Sequence, residues 1–104
     1  MTTFEIYTDT ASEYRFRLKA TNGQNILASE GYTSKSACLN GIESVKTNSQ
    51  VDSMYDKNKS SNQKHYFNLK AANGQIIGTS QMYESLGGML SGILSVKKNA
   101  PIAT

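Results

Sequence analysis

The most constraining feature of this chain is an internal repeat. Residues 16–49 align with residues 67–100 at a constant offset of 51 and without a gap, and 18 of the 34 aligned positions are identical. A half of about 50 residues buries a small fraction of its surface and would be only marginally stable alone. Two copies that share one core avoid this difficulty. The repeat therefore predicts a single compact domain over residues 1–104, with repeat one (1–50) and repeat two (51–104) related by a pseudo-two-fold axis.

Each copy begins with a predicted β-hairpin. Apolar and polar side chains alternate along residues 14–20 and 66–71, which is typical of a strand with one buried face. Both runs lead to an Asn-Gly pair, a dipeptide that favours a type I′ hairpin turn. The register of the returning strand stays open. A two-residue loop places Leu27 beside Leu18, whereas a bulge shifts the pairing by one residue and reverses the faces.

A further strand is predicted before each hairpin and a helix after it. Phe4–Tyr7 alternates in repeat one, and Val51–Tyr55 holds the corresponding place in repeat two, before a polar lysine-rich segment. Ser34 and Ser85 are suitable helix N-caps. Each is followed by apolar residues at i, i+4 and i+7, which form one buried stripe per helix: Cys38, Ile42 and Val45, then Met89, Ile93 and Val96. Each repeat is therefore β-β-β-α, and the fold class is α+β.

Two further patterns concern packing around the helices. Tyr32 and Tyr83 come just before the caps, where they are placed to fix the start of each helix onto the core. Gly88 and Gly92 are four residues apart in the later helix, and small residues at this spacing allow a close approach to the sheet or to the other helix. We interpret all four as packing residues.

Several segments together resemble one protein family. The repeated LKATNGQ and LKAANGQ, the helix starts GYTS and MYES, and the helix segments NGIESVK and SGILSVKKNAP are similar to the YegP-like family of small bacterial proteins of uncharacterised function. The likeness covers essentially the whole chain. It implies one continuous antiparallel sheet with both helices packed on one face. It implies no enzyme activity, cofactor or catalytic residue. The apolar, glycine-rich LGGMLSGIL departs from the family's more charged pattern.

Few residues have the chemistry of a catalytic or metal site. His65 is the only histidine and Cys38 the only cysteine, so a multi-histidine metal site, a cysteine zinc cluster and an internal disulfide are excluded. Cys38 holds the stripe position that Met89 holds in repeat two, which indicates packing. We expect no enzyme and no cofactor, unless a site spans both repeats. The chain shows neither a signal-peptide pattern nor a long apolar run, so we expect a cytoplasmic protein with no membrane partner.

Two surfaces are candidates for a function. The first is the uncovered face of the sheet, where cations and an aromatic ring suit single-stranded nucleic acid: Arg15, Arg17, Lys19, Tyr66 and Lys70. The second is a line of leucines on the later helix at Leu86, Leu90 and Leu94. The first helix has Lys35, Leu39 and Glu43 at these positions. The leucines are either exposed as a surface for self-association or a protein partner, or buried by asymmetric docking of the repeats.

The charge is also uneven between the repeats. Residues 1–52 carry five basic and six acidic side chains, whereas residues 53–104 carry six basic and two acidic ones. Much of the excess is in Lys57, Lys59 and Lys64, beside His65. This segment is either a solvated lysine-rich turn or a site for an anionic partner. The leading hypothesis is a structural or protein-interaction role through the later helix, and nucleic-acid binding by the sheet is the alternative.

Overall fold

Six strands form one antiparallel sheet, and two helices cover one of its faces. The computed structural model describes residues 2–103. Its strands are β1 (Thr3–Thr8), β2 (Tyr14–Lys19), β3 (Asn25–Ala28), β4 (Tyr55–Lys59), β5 (His65–Lys70) and β6 (Ile76–Thr79), and its helices are α1 (Lys35–Asn48) and α2 (Leu86–Asn99). Short 3-10 turns at Asp52–Met54 and Ala100–Ile102 follow the helices. The strand order β1-β2-β3-β6-β5-β4 places β3 against β6 at the centre, as a pseudo-two-fold axis requires. The predicted fold is confirmed.

Both predicted hairpins are present, but their turns are not of type I′. That turn requires positive φ at both central residues, and among residues 2–103 only Ser12 and Gln63 are non-glycine residues with positive φ. In the first hairpin the amide of Gly23, whose φ is 86°, donates to the carbonyl of Ala20 at 2.9 Å. The turn is therefore a three-residue loop that ends on a left-handed glycine, and Asn22 keeps negative φ. The second hairpin repeats this geometry.

The open question of register has a two-part answer. The three-residue loop pairs Lys19 with Asn25, and a bulge then shifts the register so that Leu18 pairs with Leu27. The two irregularities cancel, because a simple two-residue loop gives the same Leu18–Leu27 pair. Leu27 therefore lies on the helix side of the sheet with Leu18, and both are buried.

The first strand of repeat two was predicted too early. The structure has a 3-10 turn where Val51–Tyr55 was expected to be extended, and β4 begins only at Tyr55. Tyr55 lies 51 residues after Phe4, so the repeat offset already indicated this position. The lysine-rich residues Lys57 and Lys59 consequently lie in a strand and not in a turn. β4 is an edge strand, and lysines on an edge discourage pairing with other chains.

The helices begin and pack as the sequence indicated. The Ser34 and Ser85 hydroxyls accept the amides of Ala37 and Gly88 at 3.1 and 3.0 Å. α1 lies over β2 and also over β5 and β6, and α2 lies over β5 and over β3. Each helix thus covers strands of both repeats, and the buried side chains form one shared core.

The tyrosines before the caps take the space that the helix glycines leave. The Tyr32 ring lies against Gly41, and the Tyr83 ring lies against Gly92, so closely that any β-carbon on either glycine would overlap the ring. The close approach at Gly92 is therefore made to Tyr83, whereas the sequence predicted an approach to the sheet or to the other helix. Each tyrosine is also held by backbone hydrogen bonds to the start of β2 or β5, which fixes the start of the helix.

Candidate protein-interaction surface

The three leucines of α2 lie exposed on one line. Leu86 is 52% exposed, Leu90 39% and Leu94 65%. We call this line the leucine ridge. The buried stripe of the helix, which includes Met89 and Ile93, occupies the neighbouring face. Docking of the two repeats therefore does not bury the ridge. Burial was the other possibility that the sequence left open.

The first helix provides an internal comparison for the ridge. Leu39 is exposed to a similar degree as Leu90, but the helix has Lys35 and Glu43 where α2 has the two outer leucines. A single exposed leucine is ordinary on a protein surface, whereas a contiguous apolar line is a feature of binding surfaces. The ridge is thus specific to the second repeat.

A shallow groove borders the ridge on the side of the edge strand. It has a volume of about 250 Å³ and is lined by Lys57, Lys59, His65, Leu86 and Met89, together with Asn58. Lys57 pairs with the buried Phe67 across β4 and β5, so its side chain is on the helix side of the sheet. We call this feature the lysine groove. The charge excess of repeat two therefore lies beside the leucine ridge.

The sequence missed this juxtaposition, because the lysines were assigned to a turn. Strand alternation combined with the repeat offset would have placed Lys57 on the helix side of the sheet. Ile6 of β1 is the equivalent of Lys57, and a residue at a helix-facing position of one copy is expected to face the helix in the other. The equivalent groove of repeat one is lined by Ile6, Thr8, Tyr14 and Lys35, with Tyr7.

The basic residues predicted to bind nucleic acid lie on the uncovered face, in two separate groups. Arg15, Arg17 and Lys19 are together on β2, and Tyr66 and Lys70 are on β5. Because β3 and β6 lie between these strands, the groups are about 14 Å apart at a spacing of about 4.8 Å per strand.

Each cation of that face already contacts a carboxylate. Arg15 Nε donates to Asp9 Oδ2 at 2.6 Å, and Arg17 Nε donates to Glu5 Oε1 at 2.7 Å. The side chain of Arg17 also covers the Tyr7 ring at 4.2 Å. These contacts reduce the positive potential that a phosphate backbone requires.

The two remaining ion pairs and the lowered pKa values of two carboxyl groups also indicate that the charges of the uncovered face compensate one another. Lys19 Nζ lies 3.5 Å from Glu5 Oε2, and Lys70 Nζ lies 3.7 Å from Asp56 Oδ2. The hydrogen bond from Arg17 lowers the pKa of Glu5. The hydrogen bond from Arg15 likewise lowers the pKa of Asp9. Both carboxyls therefore stay ionised, and the uncovered face is a set of mutually compensating charges.

A cleft of about 400 Å³ lies at the junction between the repeats. Its lining comprises residues 30–32 of repeat one and residues 74–77 of repeat two. Glu30 and Tyr32 are its ionisable groups, and burial raises the pKa of the Tyr32 phenol. A carboxylate beside a phenol that keeps its proton does not provide an activated nucleophile with its base. Cys38 is fully buried in the core and outside this cleft.

Two further properties of residues 2–103 bear on function. Within this range no three His, Cys, Asp or Glu side chains come together as a metal site. Neither α1 nor α2 combines the length and the apolarity that a bilayer-crossing helix requires.

The fold and its surfaces define a class of small α+β proteins, built from two tandem repeats on one six-stranded sheet. A family model described as a domain of unknown function, DUF1508, matches residues 9–56 and again residues 60–104. The chain belongs to this family of bacterial proteins, and the resemblance seen in the sequence is confirmed.

Several relatives have similar sequences over their length. A UPF0339 protein in the ptx operon 5′ region of Stutzerimonas stutzeri is 59% identical over 101 residues, which cover 97% of this chain and 91% of that relative. UPF0339 protein YegP of Escherichia coli K12 is 50% identical over 101 residues, which cover 97% of this chain and 92% of YegP.

Solved structures of relatives have the same fold. The solution NMR structure of a UPF0339 protein from Shewanella oneidensis matches with a TM-score of 0.93 at 50% identity, over 99% of this chain and 87% of that one. The solution NMR structure of E. coli YegP, described as a protein of unknown function, matches with a TM-score of 0.94 at 50% identity, over 99% of this chain and 89% of that one.

Proposed function

We propose that this protein is a non-enzymatic interaction module, which binds a second protein molecule through the leucine ridge of α2. The observation that carries this proposal is the exposure of Leu86, Leu90 and Leu94 on one line. The first helix supports it as a comparison, because the equivalent line is interrupted by charge at both ends.

The physical driving force is the burial of apolar surface. Complete burial of one leucine side chain contributes about 1.5–3 kcal/mol. The three ridge leucines are between 39% and 65% exposed, so a partner that covers them gains on the order of half of that amount for each residue. The exposed part of the ridge makes no contribution to folding, since that area stays in contact with water.

Site-specific photocrosslinking in living bacteria tests this proposal. A photoreactive benzoylphenylalanine in place of Leu94 should form one defined product, identified by mass spectrometry as a partner protein or a second copy. The same amino acid in place of Glu43, the equivalent position of α1, serves as the matched control. Absence of any product from position 94, or equal products from both positions, would refute the proposal.

A substitution pair distinguishes binding from stability. Leu90→Glu should abolish the product from position 94, whereas Leu39→Glu should leave it intact. Both leucines are exposed to a similar degree, so both variants should keep the circular dichroism spectrum of the parent and lose a similar free energy of unfolding, at most about 2 kcal/mol. Loss of the product with both variants contradicts a role that is specific to the ridge.

The alternative, single-stranded nucleic-acid binding by the uncovered face, stays a prediction. Its cations are already paired with Glu5, Asp9 and Asp56. This face therefore supports nucleic-acid binding less well than the leucine ridge supports protein binding. Titration of a fluorescent oligothymidine at low salt tests it. Binding that falls steeply with salt and is lost in Arg17→Ala/Lys70→Ala would favour the alternative.

A further inference from the structure

The cations beside the leucine ridge differ from those of the uncovered face. Lys57 and Lys59 are exposed on the helix side of β4, and among residues 2–103 neither forms an ion pair with a carboxylate. The four cations of the uncovered face are all paired. Two cations without an ion-pair partner in this range therefore lie side by side at the lysine groove.

The repeat shows that this arrangement is not a requirement of the fold. The helix-facing positions of β1 hold Ile6 and Thr8 where β4 holds Lys57 and Lys59. The helices show the reverse difference: α1 has the charged Lys35 where α2 has the apolar Leu86. Repeat two thus has charge on its strand and apolar surface on its helix, and the two lie side by side.

We propose that the lysine groove and the leucine ridge together bind an acidic amphipathic segment of a partner protein. Carboxylates of that segment contact Lys57 and Lys59, and its apolar side chains cover the ridge from Leu86 to Leu94. Charge complementarity sets the orientation and selects against basic partners, while apolar burial supplies most of the affinity. This inference rests on the proposed function and specifies its partner.

A second copy of the chain fits this surface less well. A two-fold interface brings the same patch together from both molecules. Parallel packing of two α2 helices brings Lys57 and Lys59 towards their own counterparts. Antiparallel packing brings them towards Lys98, which is exposed one turn beyond Leu94. Glu84, the nearest acid before the ridge, is already paired with Lys64 at 2.9 Å. Both arrangements therefore place like charges together, which an acidic partner avoids.

Titration of the ¹⁵N-labelled chain of residues 1–104 with designed peptides tests this inference. The probe is a synthetic amphipathic peptide with leucine on one face and glutamate on the flanks. One control peptide has lysine in place of every glutamate, and another has serine in place of every leucine. We expect the acidic amphipathic peptide alone to shift the amide signals of β4 and of the ridge, in a saturable manner below about 1 mM.

Paired variants locate the charge requirement. Lys57→Glu/Lys59→Glu should weaken binding of the acidic peptide by roughly tenfold or more. Lys35→Glu/Lys46→Glu lowers the net charge equally but on α1, and should change the affinity by less than about twofold. Lys35, Lys57 and Lys59 are exposed and Lys46 is half-buried, and the amide spectrum detects any loss of folding in either variant directly.

Several results would overturn the inference. They are equal binding of the basic peptide, saturable shifts confined to the uncovered face, and no shift at all up to about 1 mM. A dimer in sedimentation that Leu90→Glu dissociates would make a second copy the occupant. Co-sedimentation with phosphatidylglycerol vesicles that requires Lys57 and Lys59 would make it a membrane surface. A defined photocrosslink from position 94 separates these outcomes from failure of the proposed function, because it persists when only the partner chemistry is wrong.

Discussion

The pair Leu27 and Gly78 offers the sharpest test of how the two repeats share one core. These residues are equivalent in the repeat, and β3 and β6 bring them together at the centre of the sheet. Leu27 is 1% exposed, and a β-carbon on Gly78 would lie 2.7 Å from both Cγ and Cδ2 of Leu27. There is thus space for one leucine near the pseudo-two-fold axis, and repeat one occupies it.

The expected changes in the free energy of unfolding follow from this contact. Gly78→Ala should destabilise the protein by about 1–3 kcal/mol through overpacking, less the 0.4–1 kcal/mol or so that alanine gains by restricting the unfolded chain. Leu27→Ala should cost about 2–5 kcal/mol through the cavity it leaves. In the double variant the atoms that obstruct the new β-carbon are gone, so Gly78→Ala should be neutral or stabilising there. The expected coupling energy is at least about 1 kcal/mol.

Urea unfolding of the four proteins in the cycle measures this coupling. The signals are circular dichroism and tyrosine fluorescence, since the chain has no tryptophan. Gly87→Ala is the control, because nothing lies within 4 Å of the added β-carbon. Its effect should therefore add to that of Leu27→Ala. Additivity within about 0.5 kcal/mol for the Leu27–Gly78 pair, or a stabilising Gly78→Ala in the parent protein, refutes the reasoning.

Three titration and reactivity measurements test the surroundings of individual groups. Burial raises the pKa of the Cys38 thiol, so Ellman's reagent should react with it at least about 100-fold more slowly in the folded than in the urea-unfolded chain; equal rates contradict a packing role. Burial also raises the pKa of Tyr55 above its ordinary value of 10.0, so its contribution to stability is present below pH 10 and is lost as the pH rises further. Tyr55→Phe should accordingly remove the last step of the tyrosinate absorbance titration, and an unchanged curve contradicts this assignment. The pKa of Asp9 lies below its ordinary value of 3.8 because Arg15 donates to it. The contribution of this ion pair to stability is therefore present above pH 3.8 and is lost as the pH falls through the pKa of the folded state. Asp9→Asn should lower the urea midpoint near pH 7 but not near pH 2, and an equal effect at both pH values contradicts the ion pair.

The elements that depend on local chemistry were predictable from the sequence. The hairpins, the serine caps and the buried stripes each follow from a few neighbouring residues, and all are confirmed. The position of β4 was not, because its residues are polar and lysine-rich and have little intrinsic preference for a strand. Pairing with β5 makes that segment a strand, and this is a long-range effect.

The turn type was missed for a related reason. Asn-Gly is compatible with several hairpin loops, and the choice depends on the bulge that restores the register between Leu18 and Leu27. That bulge places both leucines on the helix side of the sheet, so the core selects the loop. The line of leucines in α2 was found from periodicity, whereas its exposure was left open and is seen only in the structure. Its neighbours Lys57 and Lys59 were not found in this way, because their location depends on the strand that periodicity missed.

The differences between the two copies are of two kinds, and the distinction bears on function. Inside the protein, a change in one copy is accommodated by the residue that it contacts. Leu27 fills the space that Gly78 leaves, and the Tyr55 hydroxyl, absent from Phe4, donates to the carbonyl of Ser49 at 2.9 Å. Such accommodation is what one shared core requires of two nearly identical halves.

At the surface of repeat two, the differences are of the other kind. Leu86 and Leu94 replace charged residues and stay more than half exposed, and Lys57 replaces an isoleucine without forming an ion pair within residues 2–103. An exposed leucine and an unpaired lysine do not improve packing, and together they form a surface that is both apolar and positively charged. Because folding does not account for these changes, they support a binding role for the later helix and its neighbouring strand, and the acidic peptide titration addresses both features at once.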